Sequence, residues 1–149
     1  MTTPTRVALI GCGSTKVAER APARALYTGN LFRKAAAYAE VTCDRWYVLS
    51  AKHGLVHPDA MLDPYDVKLG RPHRDPDKDA PPIMEWNSRV LDALKAELAD
   101  VPDPTLVVLA GKQYRTILRQ CPWPSEVPMA GLGIGQQLGW LKANTPEKP

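Results

Sequence analysis

The sequence predicts an α/β fold, a three-layer α/β/α sandwich around a mainly parallel sheet. Short runs that are apolar throughout alternate with stretches whose apolar residues recur at helical spacing. Strands of a parallel sheet are buried on both faces and therefore show no polar alternation. The chain has 149 residues, which fits one domain covering residues 1–149.

Three apolar runs are the predicted strands of this sheet. They are residues 6–10, 46–50 and 105–110, and each is followed by a segment that contains glycine. Uniformly apolar runs joined through helices are hard to bury unless they pair with one another. We therefore expect three adjacent, parallel strands. Residues 128–134 form a weaker strand or a loop.

The segments between the strands have helical patterns or are rich in proline. Helices are predicted over residues 31–40, 83–99, 114–120 and 135–141, where apolar residues share one face or follow a turn. Residues 57–82 hold six of the chain's 15 prolines. Proline lacks the backbone donor that helices and strands use, so this stretch is expected to be a long irregular connection.

Composition indicates a cytoplasmic protein. Apolar residues make up 44% of the chain and charged residues 23%, ordinary values for a folded domain. No apolar run approaches the roughly 18 residues that cross a bilayer. The first residues lack the basic and long apolar regions of a signal peptide. We expect no membrane association.

The cysteines and histidines predict neither a disulfide framework nor a metal site. Cys12, Cys43 and Cys121 cannot all pair within the chain and contain no C-x-x-C motif, so reduced thiols are expected. His53 and His57 are four residues apart, but the intervening glycine and the following proline disfavour a helix between them. Cys12 is either a nucleophile activated by a nearby lysine or a small buried residue at a strand end.

Charge is unevenly distributed along the chain. The net charge is +3, yet the residues up to Val56 include eight Lys or Arg and three acids, a local excess of +5. A polyanion should therefore meet the first third of the chain, through residues such as Arg24, Arg33 and Lys34. Nucleic acid or a nucleotide is the expected partner.

Candidate binding residues follow the predicted strands, because ligands of open α/β sheets bind beyond the carboxyl ends of the strands. Four such segments, residues 11–16, 50–54, 111–114 and 131–137, collect glycines, hydroxyls, amides, two lysines and a histidine. This inventory suits an anionic or heterocyclic ligand. The candidate substrate-binding residues in them are Cys12, Gly13, Ser14, Lys16, Ser50, Lys52, Gly111, Tyr114 and Gln136.

Nucleotide-cofactor motifs are absent from these segments. A phosphate-binding loop needs glycine immediately before its lysine, whereas Thr15 precedes Lys16. The glycines of residues 131–135 lack the spacing of the dinucleotide fingerprint. Classical ATP or NAD binding is therefore excluded, and no cofactor is expected.

The acidic residues after the second strand are candidates for catalysis. Asp63 and Asp66 flank Pro64 and Tyr65, a rigid turn that could hold a stacking ring and a carboxylate that orients water. The alternative is structural, in which Asp63 caps the turn, Tyr65 packs on the core and Asp66 is solvated. Asp66, Asp63 and the neighbouring His53 are the candidate catalytic residues.

Four separated motifs, in this order, resemble a small family of unknown function. That family is placed near the YaaA-like proteins and the base-processing domain of archaeosine synthase, within a uracil-DNA-glycosylase-like fold. The similarity spans residues 6–69 and extends to residues 131–141. The motifs are Cys12-Gly13 with Lys16, residues 23–29 with Leu31-Phe32, residues 49–55, and residues 63–66.

The resemblance implies an α/β/α sandwich that acts on nucleobases, for example by cleaving an N-glycosidic bond in DNA, RNA or a nucleotide. Asp63-Pro64-Tyr65 is also similar to the water-activating Asp-Pro-Tyr loop of uracil-DNA glycosylases. Here, however, it follows the second strand rather than the first. The histidine-rich second motif of those enzymes is missing.

The leading hypothesis is therefore a nucleobase-processing enzyme, a glycosylase or an N-glycosidic hydrolase of nucleosides or nucleotides. One alternative is a non-catalytic module that binds nucleic acid or nucleotides. Another is a transferase that modifies a deazaguanine-like base. The residues expected to act are Tyr65 or Tyr27 in stacking on the base, Asp66 or Asp63 in orienting water, and Lys52, His53 and Lys16 in holding charge.

Overall fold

A computed structural model describes residues 4–12, 16–65 and 83–146. Its strands are Thr5–Gly11 (β1), Ala21–Pro22 (β2), Arg45–Ser50 (β3), Gly54–Val56 (β4), Met61–Leu62 (β5), Pro104–Leu109 (β6) and Ser125–Glu126 (β7). Its helices are Ala23–Leu26 (α1), Asn30–Thr42 (α2), Ile83–Glu97 (α3), Lys112–Arg115 (α4) and Ile134–Asn144 (α5), and a 3₁₀ turn covers Thr116–Arg119.

The central sheet has the order β4-β3-β1-β6-β7 and is mostly parallel. Strand β1 lies in the middle and pairs in parallel with β3 on one side and β6 on the other. The prediction of three adjacent parallel strands is confirmed. Strand β4 is the exception, since it returns antiparallel to β3 through a turn that ends at Gly54, whose φ is +76°.

Helices cover both faces of the sheet, so alternate residues of β1 are buried on opposite sides. Ala8 and Ile10 pack in a core with α1, α2 and α5, whereas Val7 and Leu9 pack with α3 and the 3₁₀ turn. Strands β3 and β6 divide their buried residues in the same way. The fold is therefore an α/β domain with helices on either side of a mostly parallel sheet.

Three details differ from the sequence-based prediction. The helix expected over 114–120 begins at Lys112 and tightens into the 3₁₀ turn. Residues 128–134 hold no strand, because backbone bonds from Ala130 to Val127 and from Leu132 to Met129 form turns there. The strand on that side of the sheet is instead β7, which lies earlier in the chain.

Part of the proline-rich connection is ordered against the first third of the chain. Strand β5 pairs antiparallel with β2, and the N–H groups of Ala23 and Arg24 donate to the carbonyls of Ala60 and Pro58 at 2.9 and 2.8 Å. Within residues 57–65, the described part of the predicted irregular connection, the two residues of β5 are in a strand and the others are in turns or loop. Residues 66–82 lie outside the described ranges.

The helices of the described ranges are short relative to a bilayer. The longest, α3, has 15 residues and carries charged side chains. No helix in these ranges is long and apolar enough to cross a membrane.

Candidate functional site

The carboxyl ends of β1, β3 and β6 meet at one edge of the sheet. The N–H of Cys12 donates to the carbonyl of Leu49 at 3.0 Å, which joins the end of β1 to that of β3. On the other side, a Cβ on Gly11 would lie 3.2 Å from the Cβ of Ala110. The small residue at position 11 thus lets the end of β6 approach β1 closely. Polar side chains that follow these strands share one surface.

Three hydroxyl groups form a hydrogen-bonded chain at this edge, and we call Tyr27, Ser50 and Tyr65 the tyrosine cluster. The Tyr65 hydroxyl lies 2.5 Å from the Tyr27 hydroxyl and 2.6 Å from Ser50 Oγ. Ser50 Oγ also accepts the backbone N–H of His53 at 3.1 Å. These three hydroxyls bring together α1, the end of β3 and the segment after β5.

Hydrogen bonds among the three hydroxyls hold the cluster together. Tyr65 lies within hydrogen-bond distance of both Tyr27 and Ser50, and Ser50 is also a hydrogen-bond partner of Tyr27. Each hydroxyl carries one proton and can accept hydrogen bonds through its lone pairs. Because a hydroxyl can rotate about its C–O bond, the cluster can redirect one of these protons to an acceptor placed beside it.

Burial keeps the phenols of the cluster protonated. It raises the pKa of Tyr27 to about 12, against the opposing effect of the hydrogen bond from Tyr65. Burial also raises the pKa of Tyr65 strongly, and the nearby Cys12 and Tyr27 add to the increase. Both groups are therefore neutral hydrogen-bond donors at physiological pH.

Cationic and aromatic groups surround the ring of Tyr65. Lys16 Nζ lies 4.4 Å from the centroid of this ring and 5.7 Å from that of Tyr27, and Lys52 Nζ lies 5.9 Å from the Tyr65 centroid. The His53 ring packs edge-on against Tyr65 at 5.2 Å. Burial has the largest effect in lowering the pKa of His53, and the positive charges of Lys52 and Arg89 lower it further. Negative charge that develops beside the cluster would be stabilised by the two ammonium groups.

The cluster rests on a tryptophan that the sequence-based prediction missed as a site residue. Trp86, on α3, is fully buried, and its Nε1 donates to the backbone carbonyl of Ser50 at 2.9 Å. Its ring also packs edge-on against Tyr114 at 5.5 Å. At helical spacing among leucines and valines, Trp86 is indistinguishable from an ordinary core residue in sequence. A single indole thus positions residues after both β3 and β6.

An apolar slot lies beside the cluster, between α2, α5 and the ends of β1 and β6. Its volume is about 270 Å³. Leu31, Phe32 and Ile134 contribute apolar walls, whereas Cys12 and Tyr114 contribute polar atoms that lie 3.5 Å apart. Burial raises the pKa of Tyr114, with a further contribution from Cys12, so this phenol is also neutral.

Several predicted site residues are not part of the tyrosine cluster. Asp63 is exposed over 76% of its side chain and lies 3.8 Å from Arg20, so it makes a surface ion pair rather than a contact with the cluster. Gln136 accepts the N–H of Gly133 at 3.0 Å and caps α5. Gly111 begins α4 and lines the slot. Gly13, Ser14 and Asp66 lie outside the described residues.

Four of the eight cations of the first third lie in ion pairs with described residues, which sequence could not reveal. Arg24 binds Asp59 at 2.8 Å and Glu40 at 3.2 Å, and Arg6 binds Glu126 at 2.8 Å. Arg20 and Arg45 also lie near acids. The local excess of +5 is therefore partly offset in space, and the expected polyanion surface is not supported.

Among residues 4–12, 16–65 and 83–146, the His, Cys, Asp and Glu side chains form no group of three that could hold a metal ion.

Comparisons with known proteins identify the family but name no activity. The chain belongs to the family of unknown function DUF6884, whose sequence profile matches residues 7–143. An uncharacterised protein of Bacillus subtilis, YfjM, is 30% identical over 96% of this chain and 97% of its own length. A UPF0246 protein of Cellvibrio japonicus is 33% identical over a match that covers 47% of this chain and 27% of that protein. No solved structure matches the chain.

Proposed function

We propose that this member of DUF6884 is a nucleobase-processing enzyme that hydrolyses the N-glycosidic bond of a nucleoside or nucleotide. The observation that carries the proposal is the tyrosine cluster, in which neutral hydroxyls bond to one another beside two ammonium groups and can donate to a base. Lys16 and Lys52 lie over the ring of Tyr65. The proposal also assigns the chain to a uracil-DNA-glycosylase-like fold, as its sequence motifs imply.

Hydrolysis of an N-glycosidic bond places negative charge on the base as it leaves. The bond between the sugar carbon C1′ and the base nitrogen breaks, and its electron pair leaves with the base. The water oxygen bonds to C1′ and loses a proton, which balances the protonation of the departing base. A neutral phenol can donate a hydrogen bond to a carbonyl oxygen of that base, and this bond strengthens as charge develops. The ammonium groups of Lys16 and Lys52 would stabilise the same charge.

The lining of the apolar slot supports a flat ring as the group that binds there. Phe32 and the aliphatic side chains of Leu31 and Ile134 offer contact to an aromatic face, and the Tyr114 hydroxyl and Cys12 offer polar contacts to its edge. Such a mixture of apolar walls and a few polar atoms is typical of sites for heterocycles.

Asp66 is the residue that we propose to activate water, on the basis of its position in the sequence. Asp66 follows Tyr65 directly and lies outside the described residues. Because Asp63 makes an exposed ion pair with Arg20, Asp66 is the better of the two candidates. Asp66→Asn should lower base release by roughly a hundredfold, the typical value of general-base catalysis.

The test is release of free base, measured by chromatography after incubation with nucleosides, nucleotides and oligonucleotides, both unmodified and carrying modified bases. Tyr65→Phe keeps the ring and removes the hydroxyl, and should lower release by roughly a hundredfold. Tyr38→Phe is the matched control, since Tyr38 packs on Trp140 away from the cluster. Absence of release from every substrate would contradict hydrolysis and favour a binding module. Equal rates in Tyr65→Phe and wild type would remove the hydroxyl from the mechanism.

A further inference from the structure

A second cavity lies on the other side of the slot, between α4 and the start of α5, and we call it the basic groove. Its volume is about 430 Å³. The cationic side chains that line it are Lys112 and Arg115, and its other polar group is the side chain of Gln137. Val108 and Val127 form apolar parts of its wall. The groove thus combines an apolar floor with positive charge.

The two cations of the groove have no acidic partners among the residues described. Arg6, Arg20, Arg24 and Arg45 all lie within ion-pair distance of carboxylates, whereas Lys112 and Arg115 do not. Other described cations, such as Arg33 and Lys34, also lie in no ion pair, but Lys112 and Arg115 line one cavity and can therefore meet the same anion.

Arg115 gives a second indication that the groove binds an anion. Its Nε is buried from solvent and, within the described ranges, has no hydrogen-bond acceptor. Buried N–H groups are nearly always paired, because an unpaired one loses its water without gaining another partner. An oxyanion in the groove would supply acceptors for the guanidinium that this chain does not provide.

The backbone of the groove also favours an anion. Gly133 lines it and is the N-cap of α5, a helix of 11 residues whose N-terminal N–H groups open there. Gly131, whose φ is +81°, turns the chain into this position, and a Cβ on it would meet no atom within 4 Å. The space beside Gly131 is therefore open, while Gln136 caps the N–H of Gly133 at the helix terminus.

The groove and the apolar slot are neighbouring cavities. They share the residues Ala110, Gly111, Met129 and Gln137. A molecule with a flat ring in the slot would reach the groove with a group attached to that ring through a short linker. A ribose is such a linker, and a phosphate is the anion that suits an arginine, a lysine and a helix N-terminus together.

We infer that the basic groove binds the phosphate of a nucleoside monophosphate whose base occupies the slot. This inference names the substrate class for the proposed hydrolysis and rests on that proposal for the base. Phosphate binding in the groove depends on Lys112 and Arg115 and does not require that the protein hydrolyse the nucleotide. A single nucleotide is favoured over a nucleic acid because four of the eight cations of the first third, which would track a polymer, are in ion pairs with described residues.

Calorimetric titration with nucleosides and their 5′-monophosphates tests the inference. Wild type should bind one monophosphate at least tenfold more tightly than its nucleoside. The double variant Lys112→Gln/Arg115→Gln should lose that advantage and bind the nucleoside as before, since only the phosphate contacts are removed. The matched control is Arg33→Gln/Lys34→Gln, which makes the same change in net charge on α2.

The outcomes separate the two proposals. Monophosphate binding that depends on the groove but without base release would support the groove and contradict hydrolysis. Equal affinity for nucleoside and monophosphate, or unchanged binding in the groove variant, would overturn the inference whatever the activity. Binding of oligonucleotides but of no monophosphate would also overturn it. If the double variant does not fold, Lys112→Gln alone decides, because Lys112 is exposed and its loss leaves the core intact.

Discussion

The polar groups on the two sides of β1 differ in whether they have partners within the protein. Beside β3, the hydroxyls of the tyrosine cluster bond to one another and to the backbone of His53. Beside β6, Lys112 and Arg115 line an open groove without acidic partners among the residues described. The hydroxyls of the first region bond to one another, whereas the two cations of the second have no carboxylate partner among the described residues.

This difference separates a preorganised region from a receptive one. Polar groups that are buried and paired are held in one geometry, so they can stabilise charge without rearranging. Cations without partners retain their full attraction for an anion, since no internal ion pair must be broken first. The cluster therefore suits the reacting end of a substrate, and the groove suits the end that anchors it.

The largest expected effect comes from removing the support of the cluster. Trp86→Ala deletes a fully buried indole and the hydrogen bond from Nε1 to the Ser50 carbonyl. We expect the free energy of unfolding to fall by about 3–5 kcal/mol, as for other buried aromatic deletions. Urea denaturation measures this loss. A change below about 1 kcal/mol would mean that the indole is not part of the core that holds the cluster.

A smaller loss should follow from breaking the hydrogen-bond chain itself. Ser50→Ala removes an oxygen that lies 2.6 Å from the Tyr65 hydroxyl and that accepts the N–H of His53. Those two groups lose a buried partner, which should cost about 1–3 kcal/mol. Denaturation of Ser50→Ala beside Ser88→Ala, an exposed serine on α3, gives the comparison. Equal stability of the two variants would show that the chain of hydroxyls contributes nothing.

Sequence predicted the parallel strands because their signal is local. Residues 6–10, 46–50 and 105–110 are apolar throughout, and pairing in one buried sheet follows from that pattern. Strand β4 was not predicted, since three residues carry no periodicity and their return depends on the positive φ of Gly54.

The site was predictable only where it follows directly from the strands. Ser50, Lys52 and Cys12 were singled out because they follow β3 or β1. The contact between Tyr27 and Tyr65 joins residues 38 apart and depends on the pairing of β2 with β5, two strands of two residues each. The groove was missed for a related reason. Counting charges along the chain favoured the first third, but the acids that pair with Arg6 and Arg24 are distant in sequence.

An anion should stabilise the protein through the groove and not through the cluster. Inorganic phosphate at about ten times its dissociation constant should raise the free energy of unfolding by about 1.4 kcal/mol, because it binds only the folded state. Thermal melting in phosphate and in chloride at equal ionic strength measures the effect. It should persist in Tyr65→Phe and vanish in Lys112→Gln/Arg115→Gln. Loss of the effect in Tyr65→Phe alone would place the anion at the cluster and reverse the comparison.

The smallest expected effect is a pH dependence of stability that arises at the cluster. Burial and the charges of Lys52 and Arg89 lower the pKa of His53 in the folded protein below its unfolded value of about 6.5. As the pH falls through that unfolded value, the unfolded chain takes up the proton first, so stability decreases. His53→Gln removes the titrating group and should flatten the curve between about pH 7 and pH 5. His57→Gln is the control, because the His57 side chain is largely exposed. Urea denaturation across this range should show a shallower slope for His53→Gln than for His57→Gln and wild type. The same slope in all three would mean that His53 is as well solvated in the folded protein as in the unfolded chain, and the cluster would then be more open to water than its buried hydroxyls indicate.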